Sequence, residues 1–152
     1  MLKPTKILVP TDFSEHSDKA LKQALDIASE YNAKVYVLHV VHERIHSALS
    51  DDYSDISITE KEVLKFEKRM MDVAKERLYK QIERFPENKK VKLVQMVVNG
   101  IPYEEILREQ EKLGIDLIVI ASLGRTGIAR FLICGVARNV LKGAKCPVLL
   151  TK

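Results

Sequence analysis

Apolar residues recur along the chain with two periods that alternate, and this alternation predicts strands and helices in turn. Five short runs rich in β-branched residues predict strands at residues 6–10, 35–41, 92–98, 117–121 and 147–151. Apolar residues at three- and four-residue spacing predict helices at about 17–31, 59–86, 102–114 and 131–141. The order βαβαβαβαβ therefore predicts an α/β fold, a doubly wound parallel sheet with helices on both faces.

Polar residues and glycines at the ends of these segments predict where the helices begin and end. Ser14 is placed to cap the first helix, and Thr59 with Glu62 forms a capping-box pair before the second. Gly100 is expected to turn the chain before Pro102, which fits a first helical position, and Gly114 fits a C-cap. The long second helix is expected to face the core with Val63, Phe66, Met70, Val73, Ala74, Leu78, Ile82 and Phe85.

The segment from 42 to 58 loses the periodicity and carries a short acidic patch, which predicts a variable surface loop. With 152 residues and no Pro/Gly/Ser-rich linker, the chain suits one domain over residues 1–152. The domain prediction therefore treats the loop as an insertion within a single unit.

Composition narrows the class of protein. Apolar residues make up 46% of the chain and charged residues 30%, which is typical of a soluble globular protein. We expect a cytoplasmic location without a membrane span, because no stretch approaches the ~20 apolar residues that a span needs. The net charge of +4 comes from interspersed lysines, arginines and acids, so we expect no nucleic-acid partner.

The stretch from Ile115 to Gly135 carries the most chemical information. A β-branched strand runs directly into a loop that contains Gly124 and Gly127, and a helix is predicted after it. Such a strand, loop and helix commonly binds phosphate, although glycine turns also occur here for geometric reasons alone. Neither the dinucleotide fingerprint nor the Walker pattern is present.

Other reactive residues form no recognisable site. Cys134 and Cys146 lack a metal or redox spacing and are expected to be small core residues. His39, His42 and His46 suggest a metal site, but ordinary structural roles are favoured because the ligand spacing is irregular. No nucleophile with a base and an orienting acid can be assembled, so we expect a protein that is not an enzyme.

Five motifs resemble those of the universal stress protein family. They are Pro10-Thr11-Asp12-Phe13-Ser14, Leu38-His39-Val40-Val41, Gly100-Ile101-Pro102, Ser122-Leu123-Gly124-Arg125-Thr126-Gly127 and Cys146-Pro147-Val148-Leu149. The resemblance implies an adenine nucleotide alpha hydrolase-like sheet in strand order 3-2-1-4-5, and a homodimer paired through residues 147–151. In one branch of the family it also implies an ATP site, which would lie where Asp12 and Gly124 meet.

The resemblance also implies which residues would form that site. Pro10, Asp12 and Val40 would border adenine and ribose, and the loop after the fourth strand would hold the phosphates with accompanying Mg²⁺. The complete implied set is Pro10, Thr11, Asp12, Val40, Ala121, Ser122, Gly124, Arg125, Thr126, Cys134, Gly135 and Val136. The branch's phosphate signature has glycines at the positions of Ala121, Gly124 and Cys134 and a hydroxyl residue at Gly135, so only Gly124 is retained.

Three hypotheses follow. The first is a regulator of the stress response that binds ATP and changes its interactions with an unknown protein partner. The second is a dimeric binding module of the same fold that has lost nucleotide and acts through protein contacts, as the residues at 121, 134 and 135 suggest. The third is a slow ATP hydrolase.

Overall fold

The architecture is a parallel sheet of five strands with helices on both faces. In the computed structural model of the protein, which describes residues 3–42, 59–124 and 133–152, the strand order is β3-β2-β1-β4-β5. The strands are β1 (Lys6–Pro10), β2 (Lys34–His42), β3 (Lys92–Gly100), β4 (Leu117–Ala121) and β5 (Val148–Thr151). The helices are α1 (Glu15–Tyr31), α2 (Glu60–Glu83), α3 (Pro102–Leu113) and α4 (Gly135–Gly143). The predicted doubly wound fold and its strand order are confirmed.

The central strand β1 organises the sheet. It pairs in parallel with β2, Lys6 opposite Lys34, and with β4, Ile7 opposite Leu117. Side chains alternate between two buried clusters, so Val9 packs beneath α1 and α2 whereas its neighbour Leu8 packs beneath α3 and α4. Because helices cover both faces, β1 reads as a continuous apolar run, as strands of parallel sheets do.

The residues predicted to begin the first three helices and to end the third take those roles in the structure. The Ser14 hydroxyl accepts a hydrogen bond from the Ser17 amide at 3.2 Å, and Thr59 with Glu62 forms a complete capping box. Pro102 occupies the first turn of α3, and Gly114 ends that helix in the left-handed conformation, with φ 64°. These local signals were readable because each satisfies backbone groups at a helix end.

Gly100 is the last residue of β3, and the chain turns there as predicted, because α3 begins at Pro102. Its φ of 151° is one that L side chains rarely adopt, and a Cβ there would lie 2.7 Å from Glu105 Oε1. A short 3-10 helix, Pro86–Lys90, also lies between α2 and β3 where the sequence pattern predicted none. Glycine at position 100 therefore allows the close approach of the Glu105 side chain.

The predicted start of the last helix at Phe131 is also corrected. Phe131 itself lies outside the described residues, but Ile133 and Cys134 are not helical and α4 begins at Gly135. An apolar pattern continues through this region, and periodicity alone does not mark where the helix begins. The predicted loop at 42–58 falls almost wholly outside the described residues, and the single-domain boundary stays a prediction.

The prediction that α2 buries apolar residues along its whole length is wrong for residues 60–73. Phe66 and Val73 are 40% and 46% exposed, whereas Ala74, Leu78 and Ile82 are buried. A helix of 24 residues is about 36 Å long at 1.5 Å per residue, which is longer than the nine-residue strands beside it. Only residues 74–83 of α2 therefore contribute buried side chains to the core.

Candidate ligand cavity

A cavity of about 200 Å³ opens at the carboxyl edge of the sheet, beside the ends of β1 and β4. This is the point where the strand order reverses, which is where doubly wound sheets hold their ligands. Its walls are formed by Pro10, Thr11, Asp12, Ser17, Leu38, His39, Val40, Pro102, Ile106, Ile120, Ala121, Leu123, Gly124, Cys134, Gly135 and Val136.

The turn after β1 brings a carboxylate to the cavity. Asp12 Oδ1 accepts a hydrogen bond from the Ser14 amide at 3.0 Å. A Cβ placed on Gly124 would lie 3.3 Å from Asp12 Oδ2, so glycine at 124 permits the two chain segments to approach. The expected meeting of Asp12 and Gly124 is thus present.

Backbone hydrogen bonds connect the same turn to β2. The Thr11 amide donates to the Leu38 carbonyl at 2.9 Å, and His39 Nδ1 lies 2.8 Å from the Thr11 carbonyl oxygen. A carbonyl oxygen only accepts, so Nδ1 carries the proton in this contact. These two hydrogen bonds fix the position of the Thr11 backbone in the cavity wall.

The opposite wall is the start of α4. The Cys134 amide donates to the Ser122 carbonyl at 2.8 Å, and the Ser122 amide donates to the Thr151 carbonyl at 2.9 Å. Cys134 caps α4 without a side-chain hydrogen bond among the described residues, and Gly135 and Val136 line the cavity. A helix start carries free N–H donors and partial positive charge, so this wall is suited to an anion.

Apolar side chains complete the cavity. Leu38, Val40, Ile106 and Ile120 line it together with the ring of Pro102. An apolar wall beside a carboxylate and a helix start can take a planar, weakly polar ring that carries an anionic group.

The structure brings most of the sequence-predicted site residues together. Those that line the cavity are Pro10, Thr11, Asp12, Val40, Ala121, Gly124, Cys134, Gly135 and Val136. Ser122 is not among the lining residues of the described chain, and its backbone anchors the loop instead. Arg125 and Thr126 lie outside the described residues.

Several lining residues were not predicted: Ser17, Leu38, His39, Pro102, Ile106, Ile120 and Leu123. Pro102 and Ile106 belong to α3, which begins at the carboxyl edge of β3 two strands away from β1. Their helix periodicity marks them as buried, but only the packing of α3 over β2 brings them to this cavity. No local signal in the sequence distinguishes them from core residues.

Among the described residues no three His, Cys, Asp or Glu side chains cluster as metal ligands, and His46 lies outside them. Cys146 packs against the core, and burial together with the nearby Asp116 carboxylate raises the pKa of its thiol. Cys134 also packs against this core, as predicted, and in addition lines the cavity.

No helix within the described ranges is both long and apolar enough to cross a membrane.

The sequence of the whole chain matches a known family model. The universal stress protein family model covers residues 4–152. This chain belongs to the universal stress protein family. Universal stress protein MJ0531 of Methanocaldococcus jannaschii is 38% identical over 147 residues, which cover 97% of this chain and 81% of that protein.

Solved structures that share this fold belong to the same family. The structure of MJ0577 from M. jannaschii superposes with a TM-score of 0.82 at 30% identity, covering 99% of this chain and 97% of that one. A universal stress protein in complex with cAMP matches with a TM-score of 0.66 at 20% identity over 99% and 98% of the chains. A universal stress protein from Archaeoglobus fulgidus in complex with dAMP matches with a TM-score of 0.63 at 20% identity, covering 99% of this chain and 100% of that one. At this identity the two complexes show the shared fold alone.

Proposed function

We propose that this universal stress protein binds an adenine nucleotide in the cavity and regulates protein partners according to whether nucleotide is bound. The carrying observation is the cavity itself, where an apolar wall, the Asp12 carboxylate and the start of α4 converge at the reversal of strand order. Universal stress proteins of the same fold have been solved with cAMP and with dAMP, which share the adenine ring. ATP is the nucleotide that the family resemblance favours, with Mg²⁺ accompanying it.

The proposed roles follow the chemistry of each wall. Pro10 and Val40 offer apolar contact to adenine, and Asp12 offers carboxylate oxygens to the base or ribose. The phosphates would lie at the first turn of α4, where N–H donors come from the backbone and do not depend on side chains. Arg125 and Thr126 belong to the proposed phosphate loop by their place in the sequence.

The three residues that replace the phosphate signature affect the proposed nucleotide binding to different degrees. Gly135 lacks a hydroxyl, but a Cβ there would meet no described atom within 4 Å, so the helix start is open. Ala121 lines the cavity and is also a member of the buried cluster beneath α1, where its methyl group is accommodated. Cys134 alone adds a larger side chain at a cavity wall.

The same replacements support the second candidate function, a module that acts through protein contacts without nucleotide. Each of Ala121, Cys134 and Gly135 removes a feature of the phosphate signature. Slow hydrolysis of bound ATP would require only positioned water and charge. It ranks third, because no nucleophile with a base and an orienting acid can be assembled from the sequence.

Ligand release and thermal unfolding separate the first two candidates. Protein purified without added nucleotide is denatured and any released small molecule is identified, and ATP with Mg²⁺ is then titrated during thermal unfolding. We expect stabilisation, which reaches about 2.7 kcal/mol when ATP is present at 100 times its dissociation constant. The absence of both a released ligand and a melting shift would favour the module without nucleotide.

Restoring the signature hydroxyl tests where the phosphates lie. Gly135→Ser should lower the dissociation constant for ATP about fivefold, because a net hydrogen bond contributes about 1 kcal/mol. Gly135→Ala is the matched control, since it adds a Cβ at the same open position without a hydroxyl. Isothermal titration calorimetry that gives equal affinities for both variants would place the phosphates elsewhere.

We also propose that the protein forms a homodimer through β5. This strand is an edge of the sheet formed by the described residues, and Leu149 on it is 37% exposed. An edge strand offers unpaired backbone groups to a second copy.

A further inference from the structure

We propose that Gln81 of α2 is a positioning residue for the cavity, which it affects by holding the turn formed by residues 11–13. Through this side chain, occupancy of the cavity and the stability of the carboxyl-terminal part of α2 are energetically linked. The inference rests on the proposed nucleotide site and adds to it a route by which that site communicates with a distant helix.

Gln81 is a buried amide whose partners all belong to the segment that follows β1. It is 2% exposed, and its Oε1 lies 2.8 Å from the hydroxyl of Thr11, a residue that lines the cavity. Its Nε2 donates to Asp18 Oδ1 at 2.7 Å, and Arg84 also donates to this carboxylate. Gln81 thus connects α2 to the cavity wall across 70 positions of sequence.

The hydrogen bonds of Asp18 fix the orientation of the Gln81 amide. A carboxylate only accepts, so the NH₂ group faces Asp18 and the carbonyl oxygen faces Thr11. The Thr11 hydroxyl therefore donates to Gln81, and its lone pairs accept the Phe13 amide at 3.1 Å. A continuous chain of hydrogen bonds runs from Asp18 through Gln81 and Thr11 to the backbone of Phe13.

The turn needs this support because its backbone is strained at Phe13. Phe13 has φ 66°, in the left-handed region that bulky L residues rarely adopt. The Phe13 ring stacks on the His39 ring with centroids 4.2 Å apart. The guanidinium carbon of Arg77 lies 4.4 Å from the centroid of the same Phe13 ring. Two residues of α2 therefore hold this turn. Arg77 contacts the Phe13 ring, and Gln81 binds the Thr11 hydroxyl that accepts the Phe13 amide.

The linkage acts in both directions. A ligand that needs the turn in this conformation binds more weakly when α2 does not hold it, and by reciprocity ligand binding stabilises the contact with α2. Residues 60–73 of α2, which include Phe66 and Val73, precede the buried part of the helix and carry exposed apolar side chains. A change in the cavity thus reaches the helix that carries this exposed surface.

Gln81→Met tests the inference, with Gln110→Met as its matched control. Methionine keeps the length and removes the amide in both. Gln110 is also a buried amide, 5% exposed, but it accepts the Lys145 amide at 3.0 Å and does not line the cavity. The two readouts are the hydrogen-exchange rate of the Phe13 amide without ligand, measured by NMR in the full chain, and the dissociation constant for ATP.

We expect Gln81→Met to speed exchange at Phe13 about fivefold or more and to raise the dissociation constant for ATP by a similar factor. Gln110→Met should change neither, once both rates are referred to amides of β1 that report global unfolding. Thr11→Val should reproduce the effect of Gln81→Met on exchange, and Thr11→Ser, which keeps the hydroxyl, should restore it.

The outcomes separate this inference from the proposed function. If wild-type protein binds ATP and Gln81→Met binds it as tightly as Gln110→Met does, the linkage is overturned. If wild-type protein does not bind ATP, the proposed function fails, and the exchange rate at Phe13 alone decides the inference. Unchanged exchange in Gln81→Met overturns it, and faster exchange in that variant alone supports it.

Discussion

At the level of single residues, Asp116 connects two segments that lie far apart in the sequence. Its carboxylate accepts the Thr5 amide at 2.9 Å, the Thr5 hydroxyl at 2.6 Å and the Lys6 amide at 3.0 Å, about 110 positions away along the chain. Partial burial raises the pKa of Asp116, but the hydrogen bonds from Thr5 and Lys6 outweigh it and lower this pKa below 3.8. The charged form is therefore favoured in the folded state.

Replacing Asp116 by asparagine should lower the free energy of unfolding by about 1–3 kcal/mol at neutral pH, because an amide group replaces one accepting oxygen. The folded pKa is depressed, so this stability is present above the unfolded value near 3.8 and is lost as pH falls through the lower folded value. Denaturant unfolding from pH 7 to pH 2 should therefore show a smaller difference between wild type and variant in acid.

Asp26→Asn is the control for this prediction. Asp26 makes an exposed ion pair with Lys22 on α1, and exposed pairs contribute little to stability because water screens them. An Asp116→Asn variant as stable as Asp26→Asn at pH 7 would contradict the proposed role of the Thr5 and Lys6 hydrogen bonds.

Gly135 and Phe13 show two ways in which a single residue shapes the cavity. Gly135 has open space where a side chain would begin, so a side chain at this position would meet no described atom at its Cβ. Phe13 has a strained backbone that its neighbours maintain. The first feature is readable from a sequence signature, whereas the second requires knowledge of what packs around the turn.

Among the elements, α2 has two parts, residues 60–73 and residues 74–83, with different energetic roles. Leu78 is completely buried in the cluster shared with α1, whereas Val73 is 46% exposed on the same helix. The apolar pattern continues through both parts, but only residues 74–83 contribute buried side chains. Burial on α2 therefore depends on the length of its neighbours as well as on its own periodicity.

Truncation of the two residues should show this difference. Leu78→Ala should lower the free energy of unfolding by about 2–5 kcal/mol, because it leaves a cavity in the core. Val73→Ala should change it by no more than about 0.5 kcal/mol, as exposed substitutions usually do. Equal losses in urea unfolding would mean that Val73 and the surface around it are covered in solution.

At the scale of the whole molecule, the strand order leaves β5 at one edge of the sheet and β3 at the other. Side chains of β3 are partly buried on both faces, in the cluster that includes α2 and in the cluster that includes α3. Leu149 of β5 is 37% exposed and belongs to the strand proposed to pair with a second copy.

Leu149→Lys should shift the protein from dimer to monomer, because a charged residue on an edge strand opposes pairing with a second edge. Sedimentation equilibrium at micromolar concentration measures the mass of both proteins. Gln95→Lys on the other edge strand is the control and should leave the mass unchanged. A wild-type protein that is already monomeric would contradict the dimer proposal.

The sequence by itself determined the order of strands and helices and most of their ends, because hydrophobic period and capping residues act locally. It also determined the family, since motifs such as 10–14 and 122–127 occur in order, and through the family it indicated the strand order.

Tertiary structure alone decided which residues meet across the sheet. It brought Pro102 and Ile106 to the cavity, left residues such as Phe66 and Val73 of α2 exposed, and placed Gln81 against Thr11. These contacts join residues far apart in sequence, so their partners depend on how helices pack over the sheet. A local pattern specifies that a side chain is buried, but packing specifies which group it contacts.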